Sequence, residues 1–96
     1  MKAYCVVQEA IDDEANFAIY RQKVMATIAA HGGSFIVRGG SFAVLEGEWS
    51  FPRLVIIEFP SRAAADAWYR SPEYQSILPL RLKSARGNLV IVDGVE

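Results

Sequence analysis

Hydrophobic and polar positions follow two different periods in the first third of the chain. Residues 3–8 are rich in β-branched and aromatic side chains and end at an acidic segment, which predicts a first strand. Asp12 or Asp13 then offers an N-cap for a helix, and a glycine pair at 32–33 is expected to end it. The helix is indicated by apolar residues at spacings of three and four, namely Phe17, Tyr20, Val24 and Ile28.

The middle of the chain is predicted to form a hairpin. Ser34–Arg38 has the composition of a second strand. A glycine pair at 39–40 allows a bend or a bulge, and we expect residues 42–46 to continue the same strand beyond it. Arg53–Phe59 then returns as the third strand.

The turn of this hairpin falls at residues 47–52 and carries Trp49 and Phe51 near its tip. In such a hairpin Glu46 and Arg53 are expected to lie close enough to pair across the strands. Aromatic residues at the tip of a turn can bind another protein, so a protein-interaction function is one alternative for this chain.

Two helices are predicted after the hairpin. Ser61 can cap the first, which is short, alanine-rich and runs through residues 63–68. A serine, a proline and a glutamate at 71–73 repeat the signature of a helix N-terminus. A second short helix is therefore expected over residues 74–78, and Pro79 is expected to end or kink it.

A basic connection at residues 81–86 and a fourth strand at 88–93 complete a β-α-β-β-α-β order. This order predicts an α+β fold, the ferredoxin-like arrangement, in which helices cover one face of a four-stranded antiparallel sheet. However, residues 54–57 and 89–92 are continuous apolar runs, whereas a sheet with one wet face alternates apolar and polar positions. We therefore expect the second face of the sheet to meet another subunit.

Composition narrows the classes of protein and partner. The 96 residues suit one domain spanning 1–96, and a net charge of −1 gives no basic field for nucleic acid or anionic membranes. No apolar run reaches bilayer length and no signal peptide is visible, so a cytoplasmic protein is expected.

Cys5, flanked by apolar residues, is expected to be a buried small hydrophobe. One histidine and one cysteine without ligand spacing predict no metal site, and no cofactor is expected.

Three residues are candidates for catalysis. His31 has an ordinary pKa near neutrality, which suits a general base, but beside two glycines it also suits a helix C-terminal cap. Arg38 and Glu58 are charges on otherwise apolar strands. They either satisfy each other as a structural pair, or act together, with Arg38 holding a carboxylate or enolate while Glu58 moves a proton.

Three aromatic residues are candidates for the lining of a ligand pocket: Trp68, Tyr69 and Tyr74. Amphipathic aromatic side chains can contact a ligand and keep a polar tip hydrogen-bonded. For Trp68, packing in the core explains the residue equally well.

Five motifs in a fixed order resemble the domain-of-unknown-function family DUF1330, and the match runs nearly end to end. They are His31-Gly-Gly33, Arg38-Gly-Gly40, Leu45-Glu-Gly47, Glu58-Phe-Pro-Ser61 and Ala67-Trp-Tyr-Arg-Ser-Pro-Glu-Tyr-Gln75. The resemblance implies a dimeric α/β barrel, in which the ferredoxin-like sheet packs on that of a twin and a cleft lies between sheet and helices. Related families include cofactor-free monooxygenases and haem-degrading enzymes, but their chemical residues do not transfer one by one to this sequence.

Two functions therefore remain open. The first is a cytoplasmic homodimer that binds or transforms a small organic molecule in the cleft. The second is a non-catalytic dimeric module with a structural or protein-interaction role. A ligand bound in the cleft distinguishes them.

Overall fold

The computed structural model of the chain describes all residues from 1 to 96 and shows seven regular elements. The strands are β1 (Ala3–Ile11), β2 (Ser34–Arg38), β3 (Arg53–Phe59) and β4 (Ala85–Asp93), and the helices are α1 (Glu14–Ala29), α2 (Arg62–Arg70) and α3 (Pro72–Ser84). No helix is both long enough and apolar enough to cross a bilayer.

The four strands form one antiparallel sheet in the order β2-β3-β1-β4, and the helices cover one of its faces. Strand β1 is central and pairs with β3 on one side and with β4 on the other. The predicted ferredoxin-like α+β fold is confirmed.

Helix α1 begins and ends where the local sequence predicts. The Asp13 carboxylate accepts a hydrogen bond from the backbone N–H of Asn16 at 3.2 Å, so Asp13 is the N-cap. At the other end Gly32 adopts a φ of 74°, and the N–H of Gly33 donates to the carbonyl of Ile28 at 3.0 Å. The prediction that the glycine pair at 32–33 ends the helix is confirmed, and His31 lies at its C-terminal end.

Helix α3 is longer than predicted. Ser71 caps it and Pro72 opens it, as expected, but the helix continues through Pro79 to Ser84. The expected basic connection at 81–86 is therefore wrong, because its first residues are helical. Pro79 has no N–H to donate to the carbonyl of Gln75, and both residues lie on the exposed side of the helix. The buried Tyr74, Ile77, Leu78 and Ser84 hold both sides of the proline against the core.

The prediction that residues 42–46 extend the second strand is wrong. Residues 39–52 contain no strand, and only Phe51 among them is even partly buried. Gly39 has a φ of 71°, which turns the chain away from the sheet directly after β2. The expected pairing of Glu46 with Arg53 is also absent, because Arg53 pairs with Glu9.

The core lies between the helices and one face of the sheet. Its largest fully buried side chains include Trp68, Tyr74 and Phe59, and Cys5 is also buried, as predicted. Burial raises the pKa of the Cys5 thiol to about 12, although Arg81 acts in the opposite direction. Cys5 is therefore a neutral packing residue at ordinary pH.

The other face of the sheet carries an apolar row across all four strands. By strand register Val37 on β2 lies next to Ile56 on β3, which lies next to Val6 on β1 and then Val90 on β4. No helix covers this face, and Val90 is 56% exposed. The continuous apolar runs in β3 and β4 thus supply both the core and this open face.

Gly39 and Gly40 are predicted to differ sharply in their tolerance of a side chain. A Cβ on Gly39 would need a left-handed backbone and would collide with the Arg53 guanidinium, whereas a Cβ on Gly40 would meet nothing within 4 Å. Gly39→Ala is expected to lower the free energy of unfolding by about 2 kcal/mol. The matched control Gly40→Ala is expected to change it by less than about 0.5 kcal/mol. Urea unfolding measures both, and equal midpoints would contradict this account of the turn.

Candidate functional site

A pocket lies between the helix-facing side of the sheet and helices α1 and α3. Its walls are mostly hydrophobic and include Val7, Val24, Val55, Ile57 and Leu89. The cavity has a volume of about 40 Å³. That volume holds one or two water molecules, or one end of a small ligand whose remainder lies at the mouth.

Glu9 brings a carboxylate into this apolar pocket. Alternation along β1 places Glu9 on the same face as Cys5 and Val7, and the side chain is only 3% exposed. Its Oε1 accepts a hydrogen bond from Nε of Arg53, its register partner on β3, at 3.2 Å. Its Oε2 is buried and has no hydrogen-bond partner in the protein.

Arg53 connects the buried carboxylate to the helix layer and to the long loop. Its guanidinium carbon lies 5.7 Å from the centre of the Phe17 ring on α1. The same guanidinium lies against the backbone of Gly39, where glycine leaves the space that it occupies. The conformation of the turn after β2 is therefore coupled to the position of Arg53.

Two tyrosines meet at the inner wall of the pocket. The hydroxyl groups of Tyr20 on α1 and Tyr74 on α3 are 3.0 Å apart and hydrogen-bonded. Burial raises the pKa of both phenols, and for Tyr20 the neighbouring Tyr74 raises it further. Both phenols therefore stay neutral and can each donate one hydrogen bond.

Arg81 lies beside these tyrosines on the last turn of α3. Burial pulls the pKa of its guanidinium down, but Tyr74, Tyr20 and Glu9 together hold the pKa above its usual value. Its Nε is buried and has no hydrogen-bond acceptor in the protein. The pocket thus contains an unsatisfied donor at Arg81 and an unsatisfied acceptor at Glu9.

Arg38 reaches the mouth of the pocket because β2 contains a bulge. Phe35 pairs with Ile57 and Val37 with Ile56, so the register shifts between these two residues. The shift returns Arg38 to the helix-facing side, opposite Val55. There its guanidinium carbon lies 4.3 Å from the centre of the Phe35 ring, in a cation–π contact.

The other two catalytic candidates lie outside the pocket. His31 is a helix cap, with Nδ1 3.0 Å from the carbonyl oxygen of Thr27. Glu58 lies on the open face of the sheet, opposite Tyr4 and Ser34, and its Oε1 is 3.4 Å from Nζ of Lys2. The expectation that Arg38 and Glu58 pair or share one cleft is therefore wrong, because the bulge in β2 and the alternation of β3 place them on opposite faces.

Only two of the three aromatic residues that were predicted to line a pocket do so. Trp68 and Tyr74 line the pocket, and the indole N–H of Trp68 donates to Oγ1 of Thr27 at 3.1 Å. Tyr69 does not line it. The Tyr69 ring packs on Tyr74 and borders a shallow depression beside Arg62 and Arg70.

Glu9, Arg53, Tyr20 and Arg81 were not predicted as site residues. Counting by twos along the first strand could have found Glu9, since that count places it with Cys5 and Val7 on the buried face. No comparable signal existed for Arg81, because the predicted end of the helix at Pro79 removed it from the helix face. The structure gathers no group of three His, Cys, Asp or Glu side chains that could hold a metal ion.

The chain is a ferredoxin-like α+β domain with a small, mostly apolar pocket between sheet and helices, in which a few polar groups are buried. The family profile of a domain of unknown function, DUF1330, matches residues 2–95. The chain belongs to this family. No curated protein matches it in sequence.

Solved structures with low sequence identity share this fold. A protein of unknown function from Rhodopseudomonas palustris superposes with a TM-score of 0.78 at 17% identity, covering 99% of this chain and 83% of the other. SnoaB, a cofactor-independent oxygenase from Streptomyces nogalater, has a TM-score of 0.65 at 11% identity, covering 99% and 94%. Rv0793 from Mycobacterium tuberculosis has a TM-score of 0.56 at 12% identity, covering 100% and 97%.

Alkaline pH is predicted to destabilise the protein. Cys5, Tyr20 and Tyr74 have folded-state pKa values above their ordinary values of 9.0, 10.0 and 10.0, so these groups keep their protons in the folded chain after the unfolded chain has lost them. Their contribution is complete below about pH 9 and falls as pH rises through the folded pKa values, by about 1.4 kcal/mol per group and pH unit.

The test is urea unfolding between pH 8 and pH 11 of the wild type, Cys5→Ala and Cys5→Val. Both variants lack the thiol, and Val refills part of the space, so a packing cost shifts their curves without changing the slope. Above pH 9 the free energy of unfolding of the wild type is expected to fall with pH more steeply than that of either variant. The difference between the slopes is expected to be about 1.4 kcal/mol per pH unit. Parallel slopes for all three proteins would contradict a neutral, buried thiol.

Proposed function

We propose that this chain acts in the cytoplasm as a homodimer that binds a small organic molecule, as ligand or substrate, in the pocket between its sheet and helices. Glu9, Arg38, Trp68, Tyr74 and Arg81 are the proposed contacts. His31 and Glu58 are assigned structural roles, as a helix cap and as part of a surface ion pair.

One observation carries the proposal. Glu9 Oε2 and Arg81 Nε are buried at the same apolar pocket, and neither has a hydrogen-bond partner in the protein. Buried polar atoms are nearly always paired, and an unpaired one costs about 1–3 kcal/mol. A bound polar molecule that both donates and accepts a hydrogen bond would satisfy two such atoms of opposite character at one cavity.

The fold likeness to SnoaB supports a small organic molecule as the occupant. That protein is an oxygenase that needs no cofactor. The same architecture can therefore support chemistry by side chains alone, which agrees with a pocket whose polar groups are carboxylate, phenol and guanidinium. At 11% identity the likeness extends to the fold and does not carry the oxygenase reaction to this chain.

The open face of the sheet supports the homodimer. The apolar row of Val37, Ile56, Val6 and Val90 crosses the whole sheet without intramolecular cover. Covering such a row with the same row of a second copy removes apolar surface from water, which is the usual driving force of association. The helix side is already covered, so this face is the one available for a broad contact.

The exposed loop favours the second candidate, a non-catalytic interaction module. Phe42 and Trp49 contact each other edge to face with ring centres 5.9 Å apart, and both are more than two-fifths exposed. Leu45 at the same loop is almost fully exposed. This alternative predicts that no small molecule stabilises the protein through the pocket.

Filling the pocket is predicted to abolish ligand binding without unfolding the protein. Val24→Leu adds one carbon to the pocket wall, while the control Val95→Leu adds it at a residue that is 98% exposed. In a thermal-shift screen of small metabolites, a compound at 100 times its Kd adds about 2.7 kcal/mol to the stability of the wild type. The shift is expected to persist in Val95→Leu and to disappear in Val24→Leu. Shifts equal in all three proteins, or no shift with any compound, would contradict a pocket ligand.

A charge on the open sheet face is predicted to break the dimer. Val90→Glu places a carboxylate in the apolar row, and Met25→Glu, the control, places one on α1 at a residue of similar exposure, 49% against 56%. Size exclusion with light scattering at micromolar concentration is expected to give twice the chain mass for the wild type and for Met25→Glu, and the chain mass for Val90→Glu. A monomeric wild type would refute the dimer.

A further inference from the structure

The charge of the pocket is opposite to that of the whole chain. Four arginines and one glutamate line it, namely Arg21, Arg38, Arg53, Arg81 and Glu9, whereas the net charge of the protein is −1. A concave site with an excess of charge of one sign attracts ligands of the opposite sign. The molecule that enters this pocket is therefore expected to be an anion.

Arg38 is the arginine best placed to receive that anion. Arg53 is already paired with Glu9 at 3.2 Å, and Arg21 lies 3.8 Å from Glu14. Arg38 has no carboxylate within 4 Å, and its guanidinium is held over the Phe35 ring. The cation–π contact uses no N–H hydrogen bond, so the N–H groups of Arg38 remain available to bind a carboxylate through two hydrogen bonds.

The interior of the pocket is suited to a neutral hydrogen-bonding group rather than to an anionic one. Glu9 Oε2 needs a donor and Arg81 Nε needs an acceptor, and both are buried. A hydroxyl group can donate one hydrogen bond and accept another, so it is the smallest organic group that satisfies both atoms. The cavity of about 40 Å³ has room for such a group and not for a ring.

We propose that the ligand is a small hydroxycarboxylate anion, whose hydroxyl group lies between Glu9 and Arg81 and whose carboxylate pairs with Arg38 at the pocket mouth. This inference rests on the proposed function, since it names the class of molecule that the same pocket takes. It extends that function by assigning Arg38 to charge recognition, and Glu9 with Arg81 to hydroxyl recognition.

Calorimetric titration with matched probes tests each assignment separately. Lactate carries both groups, propanoate lacks the hydroxyl and lactamide lacks the charge. 3-Hydroxybutanoate, butanoate and 3-hydroxybutanamide repeat the comparison with a longer spacing. In at least one series the hydroxy acid is expected to bind the wild type about tenfold more tightly than either partner, because each lost hydrogen bond to a charged group costs about that factor.

Variants assign the two preferences to their residues. Arg38→Met is expected to remove the preference for the hydroxy acid over its amide while retaining the preference for it over the deoxy acid. Glu9→Gln is expected to weaken the preference for the hydroxyl, with circular dichroism and thermal melting used to establish that the variant is folded. Arg62→Met removes an exposed arginine outside the pocket and is expected to change no affinity by more than about twofold.

The outcomes separate this inference from the proposed function. Binding of uncharged or deoxy compounds to the wild type that is tighter than that of the matched hydroxy acids, and that is lost in Val24→Leu, would overturn the hydroxycarboxylate and leave the pocket function standing. Equal binding of each hydroxy acid, its deoxy acid and its amide would also overturn it. If neither the probes nor the wider metabolite screen produce binding, both proposals fail.

Discussion

The ion pair between Glu9 and Arg53 is the contact on which the candidate site depends. It joins the central strand to β3 on the side of the sheet that faces the helices, and it keeps a carboxylate only 3% exposed among apolar residues. Loss of either partner of a buried pair leaves an uncompensated charge, which typically costs 3 to 5 kcal/mol. The pair therefore restricts what can occupy these two positions, and it leaves one carboxylate oxygen available to the pocket.

The geometry around this pair connects three parts of the molecule that are distant in sequence. The Arg53 guanidinium reaches towards Phe17 on α1 and lies against the backbone of Gly39. The bulge in β2 and the left-handed turn at Gly39 bring Arg38 to the pocket mouth and send residues 40–52 away from the sheet. A movement of the loop at Gly39 would therefore displace the Arg53 guanidinium and change its ion pair with Glu9 in the pocket.

The two faces of the sheet divide the proposed tasks of the protein. Alternation along the strands gives the helix-facing side the buried aromatic core and the pocket, and gives the other side an aliphatic row that crosses all four strands. Each proposed task uses one face, so a substitution on the open face can alter self-association without touching the groups that line the pocket. Glu58 lies on the open face, so its ion pair with Lys2 is separated from the pocket by the sheet.

The order of the elements, the helix caps at Ser61 and Ser71, an N-cap at Asp12 or Asp13, and the end of α1 at the glycine pair could all be predicted from the sequence. These features depend on interactions within four residues along the chain, so local pattern suffices to predict them. It also indicated the uncovered sheet face, because apolar runs in two strands are visible without coordinates.

Arg38, Trp68 and Tyr74 could be named as site candidates from the sequence, but the rest of the site depends on how the elements pack. Whether α3 could continue through Pro79 depended on core contacts of the residues around it, and whether residues 42–46 were a strand depended on a neighbouring strand that is not there. The face taken by Arg38 depended on a bulge that one sequence cannot locate, since a shift of one residue exchanges the two faces of a strand. Glu9, Tyr20, Tyr74 and Arg81 are brought to one pocket by three packed elements, and no local pattern contains the distances between them.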